Sequence, residues 1–164
     1  MKEPFKIHTE ISIQSKQEKV FESLAVDGKQ FPNYFKGFFP LIPPIIEITI
    51  PPNSKVEVGM IRTVKLGDGS IVKERIIEHN SPYTQTYDMA ELNSIQKILF
   101  TNMQGKYSLR ESNGNIAVNW DYTFYPKDNF LSFLLVPLVV WAFKKAMISC
   151  LNKVKVFHES GAKQ

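Results

Sequence analysis

A chain of 164 residues with 43% hydrophobic side chains and a formal charge of +4 holds enough apolar material for one domain with a real core, which excludes a disordered chain and a membrane protein on bulk composition. Its 20 Lys and Arg residues are scattered along the sequence, so the concentrated basic face of a nucleic-acid binder is missing and no nucleic-acid partner is expected. The single cysteine, Cys150, leaves no disulfide framework or thiolate metal site, and Met1-Lys2-Glu3-Pro4 lacks an apolar leader, so the expectation is one cytoplasmic domain spanning 1–164.

Phe5 to Ile13 alternates apolar and polar residues over nine positions, the period of a half-buried strand. Ser15, followed three places later by Glu18, predicts a capping box that opens a helix. Val20, Phe21 and Leu24 form that helix's apolar face, and Asp27-Gly28 ends it. A second short helix fits Gln30 to Lys36, stopped by Gly37. The proline-rich run Phe38 to Pro44 is too apolar for an ordinary exposed loop. Ile45 to Ile50 reads as a strand, and another runs from Val56 to Leu66. Gly67-Asp68-Gly69 predicts a tight hairpin turn, with a return strand from Ser70 to Glu78. Asn80-Ser81-Pro82 is the next turn and Tyr83 to Met89 the next strand. Ala90 to Asn102 reads as a loop with a helical turn near Ile95 to Leu99. Strands from Met103 to Glu111 and from Ile116 to Tyr125 flank Asn113-Gly114, a strong hairpin signal.

The last stretch organises the rest. Phe130 to Phe143 is almost wholly apolar. Val140, Phe143, Met147, Leu151 and Val154 then recur every three or four residues, with Phe157 ending the stripe. This is a long amphipathic helix with one buried side. Pro137 predicts a break near Val136, with the main helix starting at the proline. The run falls short of the roughly 20 apolar residues of a membrane span and ends in two lysines. The simplest reading is a core helix; a helix lying on a membrane surface is the alternative.

Hairpin register orients the side chains. A two-residue turn at Asn113-Gly114 sets Leu109 opposite Val118, Tyr107 opposite Trp120 and Met103 opposite Phe124. On the other face Lys106 meets Asp121 as a cross-strand ion pair. The same arithmetic at Asp68-Gly69 sets Thr63 opposite Glu74 and Ile61 opposite Ile76. Thr63 and Glu74 then point inward, while Arg62, Lys73 and Arg75 face water.

The element order is strand, two short helices, about six meandering antiparallel strands and one long helix. It resembles the helix-grip fold of the Bet v 1-like, or START-related (SRPBCC), superfamily, an α+β architecture in which a curved sheet of about six or seven strands wraps a C-terminal helix. The residues carrying the resemblance are Ile13 to Phe21 at the first strand–helix junction, Val58-Gly59-Met60-Ile61-Arg62, and Gly69 to Ile76. The last two look like the family's hairpin of the form G-x-x-R … G-x-x-V-x-E-R-I. The resemblance implies a deep cavity between sheet and helix that takes a hydrophobic or amphipathic small molecule, lipid- or polyketide-like, with no cofactor. It also admits a cyclase- or dehydratase-type enzyme. The short Gly67-Asp68-Gly69 turn departs from the glycine-rich loop of the plant allergens and argues against hormone-type ligands.

Candidate ligand contacts follow from these expectations. Met103, Tyr107, Trp120, Phe143 and Met147 fill the predicted interior, either as packed core or as cavity wall. Tyr87 and Tyr107 offer hydroxyls, and Thr63 and Glu74 offer inward polar groups. Glu74 is the one candidate acid or base, because a carboxyl in an apolar cavity has a raised pKa unless it is paired. The competing reading pairs it with Arg62 or Lys73. Phe35 and Phe39 sit near the expected cavity mouth and, with Phe130 to Leu135, would form an apolar portal. Such a portal would serve a transient membrane contact or a protein partner. His8, His79 and His158 lie far apart in the chain, and no metal site is expected.

Overall fold

The computed structural model describes residues 3–26 and 28–161. β1 (Phe5–Ile13) turns Ile7, Thr9 and Ile13 inward, as its alternation requires. α1 (Gln17–Phe21) follows and runs into a π-helical turn, Glu22–Val26. The expected capping box does not form. The N-cap is Lys16, with no side-chain cap, so Ser15 stands one residue too early, and its hydroxyl lies 3.4 Å from His158 Nδ1. The residues expected to end this helix include Asp27, which lies outside the described residues, as do Met1 and Lys2 of the N-terminus. α2 is only Phe31–Tyr34, because Phe35 is already extended. Gly37 then takes a φ of +69° with the Ile42 carbonyl 2.1 Å from where a Cβ would stand, so the chain turns where no other residue fits.

β2 (Ile45–Thr49), β3 (Ile61–Leu66), β4 (Ile71–Asn80), β5 (Thr84–Glu91), α3 (Ser94–Leu99), β6 (Phe100–Ser112), β7 (Asn115–Pro126) and α4 (Phe130–Gly161) complete the chain. All seven strands form one antiparallel sheet in the order β1-β7-β6-β5-β4-β3-β2. The sheet curves around α4, so the order and class of the elements are those expected. The strand anticipated from Val56 begins only at Ile61, although the Gly59 amide still donates to Ile76 O. The helical turn expected near Ile95 to Leu99 is α3, closed at its start by a capping box between Asn93 and Gln96, while the ends of the stretch read as loop belong to β5 and β6.

The β6–β7 hairpin has the predicted register at Leu109–Val118, Tyr107–Trp120, Met103–Phe124 and Lys106–Asp121. The last two residues are opposed but do not form an ion pair. Lys106 reaches Glu78 on β4 at 3.2 Å, and Asp121 reaches His8 on β1 at 2.7 Å, because each finds an opposite partner on its other side. The β3–β4 hairpin departs from expectation by one residue. Leu66 N donates to Ser70 O and Gly69 N to Leu66 O, so the loop has three residues, with Gly69 at φ +84°. The Asp68 carboxylate accepts from both the amide and the hydroxyl of Ser70. The pairs are therefore Arg62–Glu74 and Thr63–Lys73. A slip of one residue exchanges the faces of a strand, which puts Arg62 inside and Thr63 outside.

α4 runs unbroken for 32 residues through Pro137, roughly 48 Å at 1.5 Å per residue. The expected break is absent. Pro137 lies on the exposed side of the helix, where its ring displaces no packed residue. Asn129 caps the start, its side-chain oxygen accepting from Ser132 N at 2.7 Å, and Ser132 Oγ donates to Leu99 O of α3. The far half lies against β1 and β7, with Ala142, Ala146, Met147, Cys150 and Leu151 buried. Its end is fastened by Lys155 Nζ to Ser12 O and by Gln14 N to Glu159.

Candidate functional site

The core is solid under the far half of α4 and hollow under the near half. A cavity of about 230 Å³ lies between the inner face of the sheet and the turns of α4 that carry Val139 and Phe143. Its aromatic wall follows from the β6–β7 register. Tyr107 and Trp120 are cross-strand neighbours with ring centroids 5.0 Å apart, and the tilted rings of Tyr122 and Phe124 follow along β7 at 4.9 Å. Phe143 closes on Tyr122 at 4.6 Å, and Phe35 stands edge-on to Trp120. The residues around the mouth come from three places: Pro40 and Leu41 of the loop before β2, Ile95 and Gln96 of α3, and Val139 of α4.

The cavity has a buried polar corner. Arg62 Nε donates to Glu74 Oε2 at 2.6 Å, with both side chains about nine-tenths buried. The guanidinium also donates to Ala25 O, a carbonyl that accepts from Gln85 Nε2 as well. Its carbon lies 5.2 Å from the centroid of the Tyr87 ring, a cation–π contact. Tyr87 OH in turn accepts from Trp120 Nε1 at 3.2 Å. Burial alone would lower the Arg62 pKa, but the Glu74 carboxylate, with Tyr87 and Tyr107, more than offsets it and raises the value. Burial pushes the phenol pKa values of Tyr87, Tyr107 and Tyr122 up. At neutral pH the Arg62 guanidinium therefore keeps its charge, and the phenols beside it are neutral and can donate or accept.

Of the ten anticipated ligand contacts, seven line this space: Phe35, Glu74, Tyr87, Met103, Tyr107, Trp120 and Phe143. Thr63 lies on the opposite face of β3, across from Lys73. Phe39 projects from its loop, 94% exposed, and Met147 is wholly buried one turn beyond Phe143. Glu74 carries the Arg62 partner that the competing reading gave it, inside the protein instead of on its surface. Arg62 itself was missed, since the assumed turn length sent it to solvent.

No known family profile matches the sequence, and no curated protein matches it. Solved structures do. Ginseng major latex-like protein 151 from Panax ginseng superposes with a TM-score of 0.67 at 14% identity, over 94% of this chain and 97% of that one. Ara h 8.0201 gives 0.63 at 19% identity, over 93% and 98%. The shared fold is a helix grip, a curved antiparallel sheet wrapped around a long C-terminal helix. The same grip occurs in the di-domain ARO/CYC StfQ of the steffimycin biosynthetic pathway, with a TM-score of 0.73 at 12% identity, covering 98% of this chain and 52% of that protein. At these identities the shared property is the helix grip itself. The chemistry of the cavity has to be read from this chain's own residues.

Proposed function

We propose that this protein binds a compact hydrophobic or amphipathic small molecule between the sheet and α4. Its apolar part would lie against Trp120, Tyr122 and Phe143, and its polar end would meet Arg62, Glu74 and Tyr87. The observation that carries this reading is a mainly apolar cavity with a buried hydrogen-bonding corner, the usual composition of a small-molecule site. Its 230 Å³ lies below the roughly 300–1,000 Å³ of pockets that take drug-sized ligands. That suits a small ring system or a short amphiphile, and a long acyl chain would have to extend through the mouth. A cyclase- or dehydratase-type reaction is the second reading, favoured by the presence of a carboxylate and phenols on the wall. The Arg62 bond weighs against it, since it engages one of the two oxygens Glu74 would use to take a proton.

Native mass spectrometry of the freshly purified protein tests the proposal, followed by titration with a fluorescent amphiphile. A retained small molecule is expected, together with probe binding that weakens at least about tenfold when Val139→Trp fills the mouth. The melting temperature of that variant serves as the folding control. A wild-type protein that carries nothing and binds no amphiphile would overturn the reading. Turnover of a bound compound that Glu74→Gln abolishes while affinity persists would favour the enzyme.

A further inference from the structure

The first three turns of α4 expose apolar side chains where an amphipathic core helix would show polar ones. Phe130 is 75% exposed, Phe133 71% and Leu134 59%, and Leu131, Leu138 and Trp141 are each close to half exposed. They stand opposite a narrow buried face of Ser132, Val136 and Val140. The adjoining elements extend the patch. Asn129 Nδ2 and Ser132 Oγ bond α4 to the carbonyls of Ile98 and Leu99, which sets the exposed side chains of Ile95 and Ile98 beside it. On its other side Phe38 packs edge-on against Trp141 at 5.2 Å, and the next residue is the projecting Phe39. These are the elements that frame the cavity mouth.

We infer that this flank is a docking surface for a lipid bilayer carrying anionic headgroups. Contiguous exposed apolar surface of this extent marks an interaction site, and the charges say which kind. Lys127 precedes the apolar stretch. Lys144 and Lys145 follow it three and four residues after Trp141, the spacing that keeps them on that flank of the helix. Among the described residues none of the three is in a salt bridge. Lys97 of α3 adds a further cation. Apolar side chains bracketed by lysines, with an indole at the boundary, match a helix lying in the plane of an anionic interface. By length and composition α4 is also apolar enough to cross a membrane, with a mean hydropathy of 1.8 in its most apolar window. Crossing would pull the buried Ala146, Met147, Cys150 and Leu151 out of the core, whereas lying on the surface disturbs no packed residue. The docked orientation would bring the cavity mouth to the lipid. This surface is independent of what the cavity holds, so failure here leaves the small-molecule reading intact.

The test is cosedimentation of the full chain with vesicles of phosphatidylcholine alone and with about 30% phosphatidylserine, the anionic component expected to raise affinity tenfold or more. Phe130→Ser/Phe133→Ser/Leu134→Ser is expected to abolish binding, and Lys144→Ala/Lys145→Ala to remove the preference for anionic vesicles. All five positions are exposed, so unchanged melting temperatures are expected. Should the triple variant fail to fold, quenching of wild-type tryptophan fluorescence by brominated acyl chains decides, because Trp120 is buried and only Trp141 can reach them. Absence of wild-type binding to either vesicle, or equal binding by the folded triple variant, overturns the inference. So does a dimer in light scattering that the triple variant breaks without any vesicle binding, which would give the flank to a second copy.

Discussion

Gly105 on β6 lies flat beneath the ring of Tyr87 on β5. A Cβ on Gly105 would stand 2.3 Å from Tyr87 Cζ and 2.4 Å from its hydroxyl oxygen. The two residues are paired across the strands, and the missing side chain is what lets the phenol turn into the cavity corner and accept from Trp120. Gly105→Ala should therefore push Tyr87 off its position and cost about 1–3 kcal/mol by overpacking. Shortening the partner removes the clash, so Gly105→Ala/Tyr87→Leu should be less destabilised than the sum of the single changes. Urea unfolding of the four proteins measures the coupling. Additive single effects would mean that the ring has another place to go.

The Arg62–Glu74 pair makes an opposite kind of prediction. A buried ion pair is a weak source of net stability, but removing one partner strands the other's charge. Glu74→Gln and Arg62→Met should each cost roughly 3–5 kcal/mol, while Arg62→Met/Glu74→Leu should cost far less than either. A double-mutant cycle in denaturant checks this. A double variant as unstable as the sum would show that the two groups act separately. A stable double variant that no longer binds the amphiphile would assign the pair to ligand recognition.

Where the sequence was legible, and where it was not, has a physical pattern. Asn113-Gly114 admits a two-residue turn, and the pairing of β6 with β7 from Asn102 to Ser112 follows from it, with an irregularity shifting Phe100 onto Pro126. Gly67-Asp68-Gly69 is compatible with a two- or a three-residue loop. The choice rests on Gly69 in the left-handed region and on the Asp68 bonds to Ser70, which composition does not display. That single residue of register decided whether Arg62 or Thr63 entered the cavity. Helical periodicity found Phe143 and Met147 on the same buried stripe but could not distinguish hollow from solid core. The wall ends at Phe143 because Ala142 and Ala146 let the next turns settle directly onto the sheet. Asn93 and Gln96 were overlooked as a capping box because no long apolar repeat follows them. His158 bonds Ser15 and Ser23 and ties the last turns of α4 to the β1–α1 junction, a tertiary contact across the length of the chain that spacing in the sequence does not display.

Tyr87, Tyr107 and Tyr122 form a connected cluster, with Tyr87 5.9 Å from Tyr107 and 6.2 Å from Tyr122 between ring centroids. Burial is the largest cause of the raised pKa in each, and neighbouring negative charge adds to it. Above about pH 10 the phenols of the unfolded chain release their protons while these three keep theirs. The folded state then binds more protons than the unfolded one, so stability is complete below the ordinary phenol range and falls as pH rises through it. With three groups the slope should approach about 4 kcal/mol per pH unit. Urea midpoints between neutral pH and strongly alkaline solution should trace this loss, and phenolate absorbance from the cluster should appear only with unfolding. Tyr122→Phe keeps the ring and removes one titrating group, so it should flatten the slope by about a third. Phenolate absorbance equivalent to all six tyrosines of the chain, appearing before any loss of secondary structure, would mean that water reaches the cavity floor and that its polar corner is far wetter than the packing around Arg62 implies.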